Sequence, residues 1–288
     1  MAQKTDLNVS PYYDDYSDSK NFHRVLFKPS VAIQARELTQ LQSILQAQIE
    51  RFGNHVFKEG AIVMGARCTY DDKYFAVKVE DTNPNGSGTT STESFRADAN
   101  SKIYQGETTG VVAKVVETAA KTTSDPLTLF VKYLRTGNSG STFYDEFQDG
   151  EEISRVTANA TTGAYTSASD NNEFKVFSQT GLSDVGSVQG SAVSIAEGIV
   201  YTRGHFVRVP KQTLILEKYS NTPSYKIGLD VAETLIDSTL DTSLLDNAAG
   251  STNENAPGAN RLQITLTLAK KSITATDSTN FIELMRVE

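Results

Sequence analysis

A long amphipathic helix near the N-terminus is the clearest element that the pattern of hydrophobic and polar positions predicts. The pattern places it from about Ser30 to about Phe57, with Pro29–Ser30 as the start signal. Its apolar residues recur every three or four positions and share one narrow stripe: Leu38, Leu41, Leu45, Ile49, Phe52 and Val56. Ile33 and Ile44 lie on a second face, and the polar positions are mostly glutamine. Because a solvated helix normally carries Lys and Glu there, this composition favours a helix that other protein encloses.

The stripe repeats after 11 residues, from Leu38 to Ile49, from Leu41 to Phe52 and from Leu45 to Val56. Such a repeat corresponds to about 3.67 residues per turn and predicts a nearly straight or slightly right-handed bundle. Its geometry leaves two partners open, a homo-oligomer (for which a trimer is plausible) and a mixed bundle with other proteins. A helix that lies on the β-domain of its own chain is the alternative.

The pattern predicts β-structure for the rest of the chain. Alternation is clearest in Leu262–Leu268, where Leu and Ile alternate with Gln and Thr as in a half-buried strand. Arg203-Gly204 is a turn signal between two β-rich runs and predicts a hairpin within residues 192–216. The predicted fold class is therefore mainly β with one long N-terminal helix, a β-sandwich or barrel-like body, and a small inserted β-barrel.

Composition shifts divide the chain into five predicted parts. These are an extended docking arm (1–28), the assembly helix (29–58), a main β-domain (59–98 and 178–222), the inserted barrel (99–177) and a second β-domain (223–288). The arm carries Tyr12, Tyr13 and Tyr16 among carboxylates, and rings in such an arm favour docking over a disordered terminus. The last domain ends in an apolar segment without a stop signal, as expected if the chain continues.

Charge and composition exclude several classes of protein. The net charge of −8 and the pI near 5.1 argue against a nucleic-acid partner, which requires a basic surface. No apolar stretch approaches the ~20 residues of a membrane span, and the polar N-terminus is not a signal peptide. The one cysteine, Cys68, excludes an intrachain disulfide and is expected to be a small buried strand residue in a chain made in a reducing cytoplasm.

The sequence does not arrange its histidines and carboxylates in the spacings that catalytic or metal sites require. The three histidines are not at metal-ligand spacing, and the sequence contains no nucleophile elbow and no phosphate-binding loop. The carboxylate doublets, such as Glu151-Glu152, would point to opposite faces of a strand rather than across a substrate groove. We therefore predict no enzyme activity and no catalytic, metal or cofactor site.

Several segments together resemble a known family. They are Asn8–Asp15 (NVSPYYDD), Phe22–Pro29 (FHRVLFKP), Ala35–Gln42 (ARELTQLQ), Gln48–His55 (QIERFGNH), Gly198–Val207 (GIVYTRGHFV), Leu245–Ala248 (LDNA) and Ala256–Arg261 (APGANR). In these segments the chain resembles the N-terminal module of virion structural proteins in tailed bacteriophages, notably the contractile-tailed phages of cyanobacteria. The resemblance implies a tail, baseplate or fibre-attachment component of the virion, and it implies no catalysis.

The leading hypothesis is thus a structural tail protein that docks neighbouring tail proteins through its arm and helix. A receptor- or glycan-binding tail fibre protein is the alternative, because the polar loops at 81–100 and 240–260 carry the Thr and Asn residues that sugars contact. A cell-wall-degrading tail enzyme is a third and weaker hypothesis, and the carboxylate spacing does not recommend it.

Overall fold

The structure is a computed structural model that describes residues 3–82, 84, 91–123, 125–168, 173–178, 186–276 and 278–288. These residues form a mainly β fold with one long helix, α1 (Ala35–Val56), and one short helix, α2 (Arg96–Ala99). The same described ranges include 3-10 turns at Asp18–Lys20, Thr92–Phe95 and Thr242–Leu244. Residues 83 and 85–90 of the predicted loop 81–100 lie outside the described part of the chain.

The strands are β1 (Ala61–Gly65), β2 (Cys68–Lys78), β3 (Ile103–Gly106), β4 (Val112–Ala119), β5 (Thr128–Arg135), β6 (Gly137–Ser139), β7 (Thr142–Tyr144), β8 (Glu152–Ala158), β9 (Tyr165–Ser167), β10 (Phe174–Lys175), β11 (Ser187–Ile195), β12 (Gly198–Thr202), β13 (His205–Val209), β14 (Gln212–Glu217), β15 (Tyr225–Ile236), β16 (Arg261–Ser272) and β17 (Phe281–Val287).

The chain folds into two compact units. Unit 1 comprises residues 1–69, 194–214 and 224–287, and it contains α1. Its two sheets each have three strands, in the orders β1-β12-β13 and β16-β15-β17. Strand β15 pairs antiparallel with β16 along 12 residues, and Leu266 and Leu268 of β16 are buried while their polar neighbours are exposed. This alternation confirms the half-buried strand predicted from the sequence.

Unit 2 comprises residues 70–193 and 215–223, together with Glu288. It contains most of a nine-stranded sheet with the order β10-β8-β3-β4-β5-β2-β11-β14, in which β9 pairs with β8, and a separate β6-β7 hairpin. Its core is mainly valine and other aliphatic residues, and aromatic pairs add to it: the ring centroids of Tyr104 and Phe174 lie 5.4 Å apart and those of Tyr133 and Phe147 lie 5.3 Å apart. Edge-to-face geometry in both pairs suits the quadrupoles of the rings.

The mainly β fold and the single long helix are confirmed, but the small inserted barrel is not seen. Strands of residues 99–177 instead extend one open sheet that also includes β2, and no sheet of the described residues closes into a barrel. The first β-rich run of the hairpin predicted within residues 192–216 also belongs to two strands, β11 and β12, which lie in different sheets and are separated by Ala196–Glu197. A continuous apolar run cannot reveal such a change of sheet, because both halves are buried.

Candidate functional site

Helix α1 begins at Ala35 because a capping box forms there. The Gln34 N–H donates to the Glu37 carboxylate at 2.9 Å, and the Glu37 N–H donates to the Gln34 backbone carbonyl at 3.0 Å. Ser30, which belongs to the predicted start signal, instead has a left-handed backbone with a φ of 65°. The helix ends at Val56, where the next N–H bonds back to the carbonyl of Gly53. The observed helix is therefore five residues shorter at its N-terminus than the spacing predicts.

Polar side chains attach α1 to the rest of unit 1. The Ser43 hydroxyl donates to the carboxylate of Asp14, and the Gln46 amide donates to the Gly204 carbonyl at 2.7 Å. Arg51 forms an ion pair of 2.8 Å with Asp18 of the arm. The inward face of this helix is therefore mainly a hydrogen-bonding face.

Tyr201 of β12 anchors the C-terminal half of α1. Its hydroxyl donates to the Glu50 carbonyl at 3.1 Å and lies 2.9 Å from the Asn54 amide oxygen. The ring lies against Gly53, where the Cβ of any larger residue would approach the ring to 2.4 Å. Glycine at this helix position is therefore required for the close approach of β12, and Ile44 is the other buried residue of the helix.

The predicted apolar stripe faces outward. Leu38, Leu45, Ile49, Phe52 and Val56 are each between 46% and 67% exposed, and Leu41 is half-buried. At about 100° per residue the stripe lies roughly opposite the row of Ser43 and Asn54 that contacts the body. Amphipathic surface helices normally bury the apolar face, so α1 is inverted relative to that rule.

Other exposed apolar residues adjoin the helix in sequence. Of the large hydrophobic residues that are exposed in the described part of the chain, all but six lie between Val9 and Met64; the six are Leu134, Phe143, Phe206, Tyr219, Leu235 and Leu240. The segment 22–33 before α1 is almost entirely exposed, and so are Ile62, Val63 and Met64 of β1 just after it. Exposed apolar surface concentrated in this way is typical of a protein-interaction site.

The predicted docking arm lies largely on its own chain. The Tyr12 hydroxyl accepts a hydrogen bond of 2.6 Å from the Asn260 amide. The Tyr16 hydroxyl donates to the Asp18 carboxylate at 2.6 Å, and this hydrogen bond raises the pKa of the phenol. Tyr13 is the exposed member of the three predicted tyrosines. Of the predicted interface residues, Tyr12 and Tyr16 thus form hydrogen bonds within their own chain, whereas most residues of the stripe are exposed.

A buried ion pair fixes the start of the arm. Arg203 and Glu233 lie 2.5 Å apart, with only 3% and 5% of their side chains exposed. The Glu233 carboxylate also accepts hydrogen bonds from the N–H groups of Lys4 and Thr5, while Arg203 donates to Asn280. Burial alone would raise the pKa of Glu233, but the bonds from Lys4, Thr5 and Arg203 lower it to about 2.

A groove of about 1110 Å³ runs between the arm, α1 and the start of β16. It is lined among others by Leu7, Leu38, Gln42, His205, Leu235 and Leu262. Leu38 belongs both to the groove and to the stripe, so the two surfaces adjoin at the first turns of the helix.

The candidate reactive groups Glu151 and Cys68 have structural partners. Glu151 is buried and accepts hydrogen bonds from the N–H groups of Thr108, Thr109 and Gln148. Cys68 is half-buried, burial raises the pKa of its thiol, and its sulfur lies 3.3 Å from that of Met285. Within the described ranges, no three His, Cys, Asp or Glu side chains are grouped as a metal site would require.

Comparison with known protein families decides the membership of the chain. A family model described as a domain of unknown function, DUF4815, matches residues 10–126 and 142–287. The chain belongs to the DUF4815 family. No match was found among curated proteins or among solved structures. In the described part of this DUF4815 chain, no helix has the length and apolarity that crossing a membrane requires.

Both matched ranges of the DUF4815 family include residues described above. The first contains the arm tyrosines, the whole of α1 and β1, and the second contains Tyr201 and the Arg203–Glu233 pair. The outward stripe and the contacts that hold α1 to the body therefore both lie within the family domain.

Proposed function

We propose that the chain is a structural component of a bacteriophage tail, in the baseplate or at a fibre attachment, and that it docks neighbouring tail proteins. The observation that carries this proposal is the outward apolar stripe of α1. Exposure of such an apolar helix face to water costs free energy, and docking onto a partner removes the face from water. The resemblance of segments within residues 8–55, 198–207 and 245–261 to phage virion proteins supplies the biological setting.

The contacts of α1 support a docking role for the helix. Hydrogen bonds and an ion pair hold its inner face, so the stripe stays in a fixed position before any partner binds. A surface that is ordered in advance loses less conformational entropy on binding. The arm adds to this order, because Tyr12 and Tyr16 are already held on their own chain.

Incorporation into particles tests the proposal. A phage that lacks the gene for this chain would be supplied with the wild-type chain or with variants, and intact tails would be counted by electron microscopy. Leu45→Asp should abolish incorporation, because docking would bury its carboxylate without a partner. Leu240→Asp is the matched control, since Leu240 is an exposed leucine of unit 1 that is not part of α1, and it should leave particle number unchanged.

Two results would contradict the proposal. One is normal tails that contain the Leu45→Asp chain, and the other is purified virions in which antibodies detect no wild-type chain. Glycan-array binding that is lost on changes in residues 240–260 would instead favour the alternative of a receptor-binding fibre protein.

A further inference from the structure

The outward half of α1 is almost free of charge. Arg36 and Arg51 lie on the inner half, where they face Asp15 and Asp18 of the arm. Glu37 lies beside the start of the stripe, and its carboxylate is engaged in the capping box. The positions that flank the middle of the stripe, Gln42 and Gln48, are neutral amides.

This neutral surface contrasts with a chain whose net charge is −8. Two copies of such a chain repel one another wherever their carboxylates meet, and like charges across an interface disfavour association. The stripe and its flanks are a surface on which two copies meet without that repulsion. A basic partner protein would be matched by acidic flanks, and the flanks at Gln42 and Gln48 are not acidic.

The period of the stripe also favours a second copy of this chain as the partner. Its 11-residue repeat keeps the apolar residues on one nearly straight line, whereas a 7-residue repeat winds to the left. A second copy of α1 has the same period by necessity, so the two lines match from Leu38 to Val56, about 27 Å at 1.5 Å per residue. The exposed segment 22–33 and Ile62–Met64 adjoin both ends of this line in sequence.

We infer that the stripe of α1 binds the α1 stripe of further copies of this chain, so that the helices form a symmetric bundle. This inference rests on the proposed function in one respect, the role of the stripe as a docking surface.

The mass of the purified full-length chain in solution tests the inference. Light scattering during size-exclusion chromatography should give at least twice 31.4 kDa, in whole multiples, for the wild-type chain and for Leu240→Asp. Leu45→Asp and Ile49→Asp should each give 31.4 kDa, with an unchanged helical circular-dichroism signal that shows the fold is intact. A wild-type chain that is monomeric at its highest soluble concentration overturns the inference.

Site-specific cross-linking identifies the interface itself. In a Cys68→Ser background, a short bis-maleimide reagent should link Leu45→Cys chains to one another. Leu38→Cys should cross-link to itself if the helices are parallel, and to Val56→Cys if they are antiparallel. An oligomer that forms none of these links would show that a surface other than the stripe joins the copies.

The two proposals fail in different ways. A monomeric wild-type chain whose Leu45→Asp variant is still excluded from tails would leave docking intact and assign the stripe to a different protein. A wild-type oligomer that the same substitution dissociates, with tails forming normally, would leave self-association intact and contradict the tail role.

Discussion

Ile44 and Leu45 are adjacent in α1, yet 3% of Ile44 and 54% of Leu45 is exposed to solvent. The pair marks the boundary between the face that unit 1 covers and the face that it leaves open. Two neighbouring aliphatic residues of nearly equal size therefore have different roles, the first in the stability of the chain and the second in association.

Truncation of each residue to alanine should separate those roles. Ile44→Ala should lower the free energy of unfolding by about 2–4 kcal/mol, because it leaves a cavity in a packed site. Leu45→Ala should change it by less than about 0.5 kcal/mol in a monomeric background such as Ile49→Asp, because the residue is exposed there. Urea titrations followed by the helical circular-dichroism signal measure both values, and equal losses would contradict the assignment of faces.

The hydrogen bonds that Glu233 accepts from Lys4, Thr5 and Arg203 should make stability depend on pH in acid. The pKa of Glu233 is about 2 in the folded chain, against 4.5 for the unperturbed group. Its contribution is therefore complete above about pH 5 and is lost as the pH falls toward 2. A difference of this size corresponds to a contribution on the order of 3 kcal/mol.

The Glu233→Gln variant tests this dependence. At pH 7 it should lose about 3–5 kcal/mol, because Arg203 then remains buried without a counter-charge. Between pH 5 and pH 2 its unfolding free energy should fall less steeply than that of the wild-type chain. Parallel curves for the two proteins would show that other carboxylates cause the acid sensitivity.

Gly53→Ala should be destabilising even though alanine is the better helix former. The added Cβ would meet the Tyr201 ring at 2.4 Å, and overpacking of this kind costs about 1–3 kcal/mol. The gain in helix propensity offsets about 1 kcal/mol of that cost. A net loss in a thermal or urea unfolding experiment is expected, and a net gain would show that the ring moves aside freely.

Tyr201→Phe isolates the hydroxyl from the ring. It keeps the packing against Gly53 and removes the hydrogen bonds of the hydroxyl to Glu50 and Asn54. We expect a loss of about 1 kcal/mol in the same unfolding assay, which is the usual net worth of a hydrogen bond.

Glu151 and Glu152 provide a matched pair in unit 2. Glu151→Ala should cost about 3 kcal/mol or more, because three backbone N–H groups lose their acceptor. Glu152→Ala should stay within about 0.5 kcal/mol, because its residue is exposed. Urea unfolding of the two variants decides the point, and similar small losses would contradict the anchoring role of Glu151.

The helix and its stripe were predictable because a 3.6-residue period is local information. The direction in which the stripe faces was not, because it depends on partners far away in sequence. Tyr201 and Gly204 contact α1 from residues about 150 positions later, and no feature of the helix indicates them. The glutamine-rich composition was the available signal, since amides such as Gln46 serve as hydrogen-bonding groups toward the body.

The β-structure, too, was predictable where the signal was local and not where it depended on long-range pairing. The turn at Arg203-Gly204 was predictable, and both residues have positive φ in the observed β12–β13 hairpin. Short strands such as β3 and β8 could not be predicted, because their mixed burial gives neither clean alternation nor a continuous apolar run. Sheet order is a property of long-range pairing, so the open nine-stranded sheet could not be distinguished from a small barrel.

The discontinuous make-up of unit 1 limits how the molecule can be dissected. Its segments 1–69, 194–214 and 224–287 are interrupted twice by residues of unit 2. A protease cut within 70–193 would place α1 and Tyr201 on separate polypeptides, joined through the ladder between β1 and β12 and through the hydrogen bonds of Tyr201. Deletion from either terminus removes pieces of a unit rather than a whole one, so single-residue changes are the proper genetic tools for this chain.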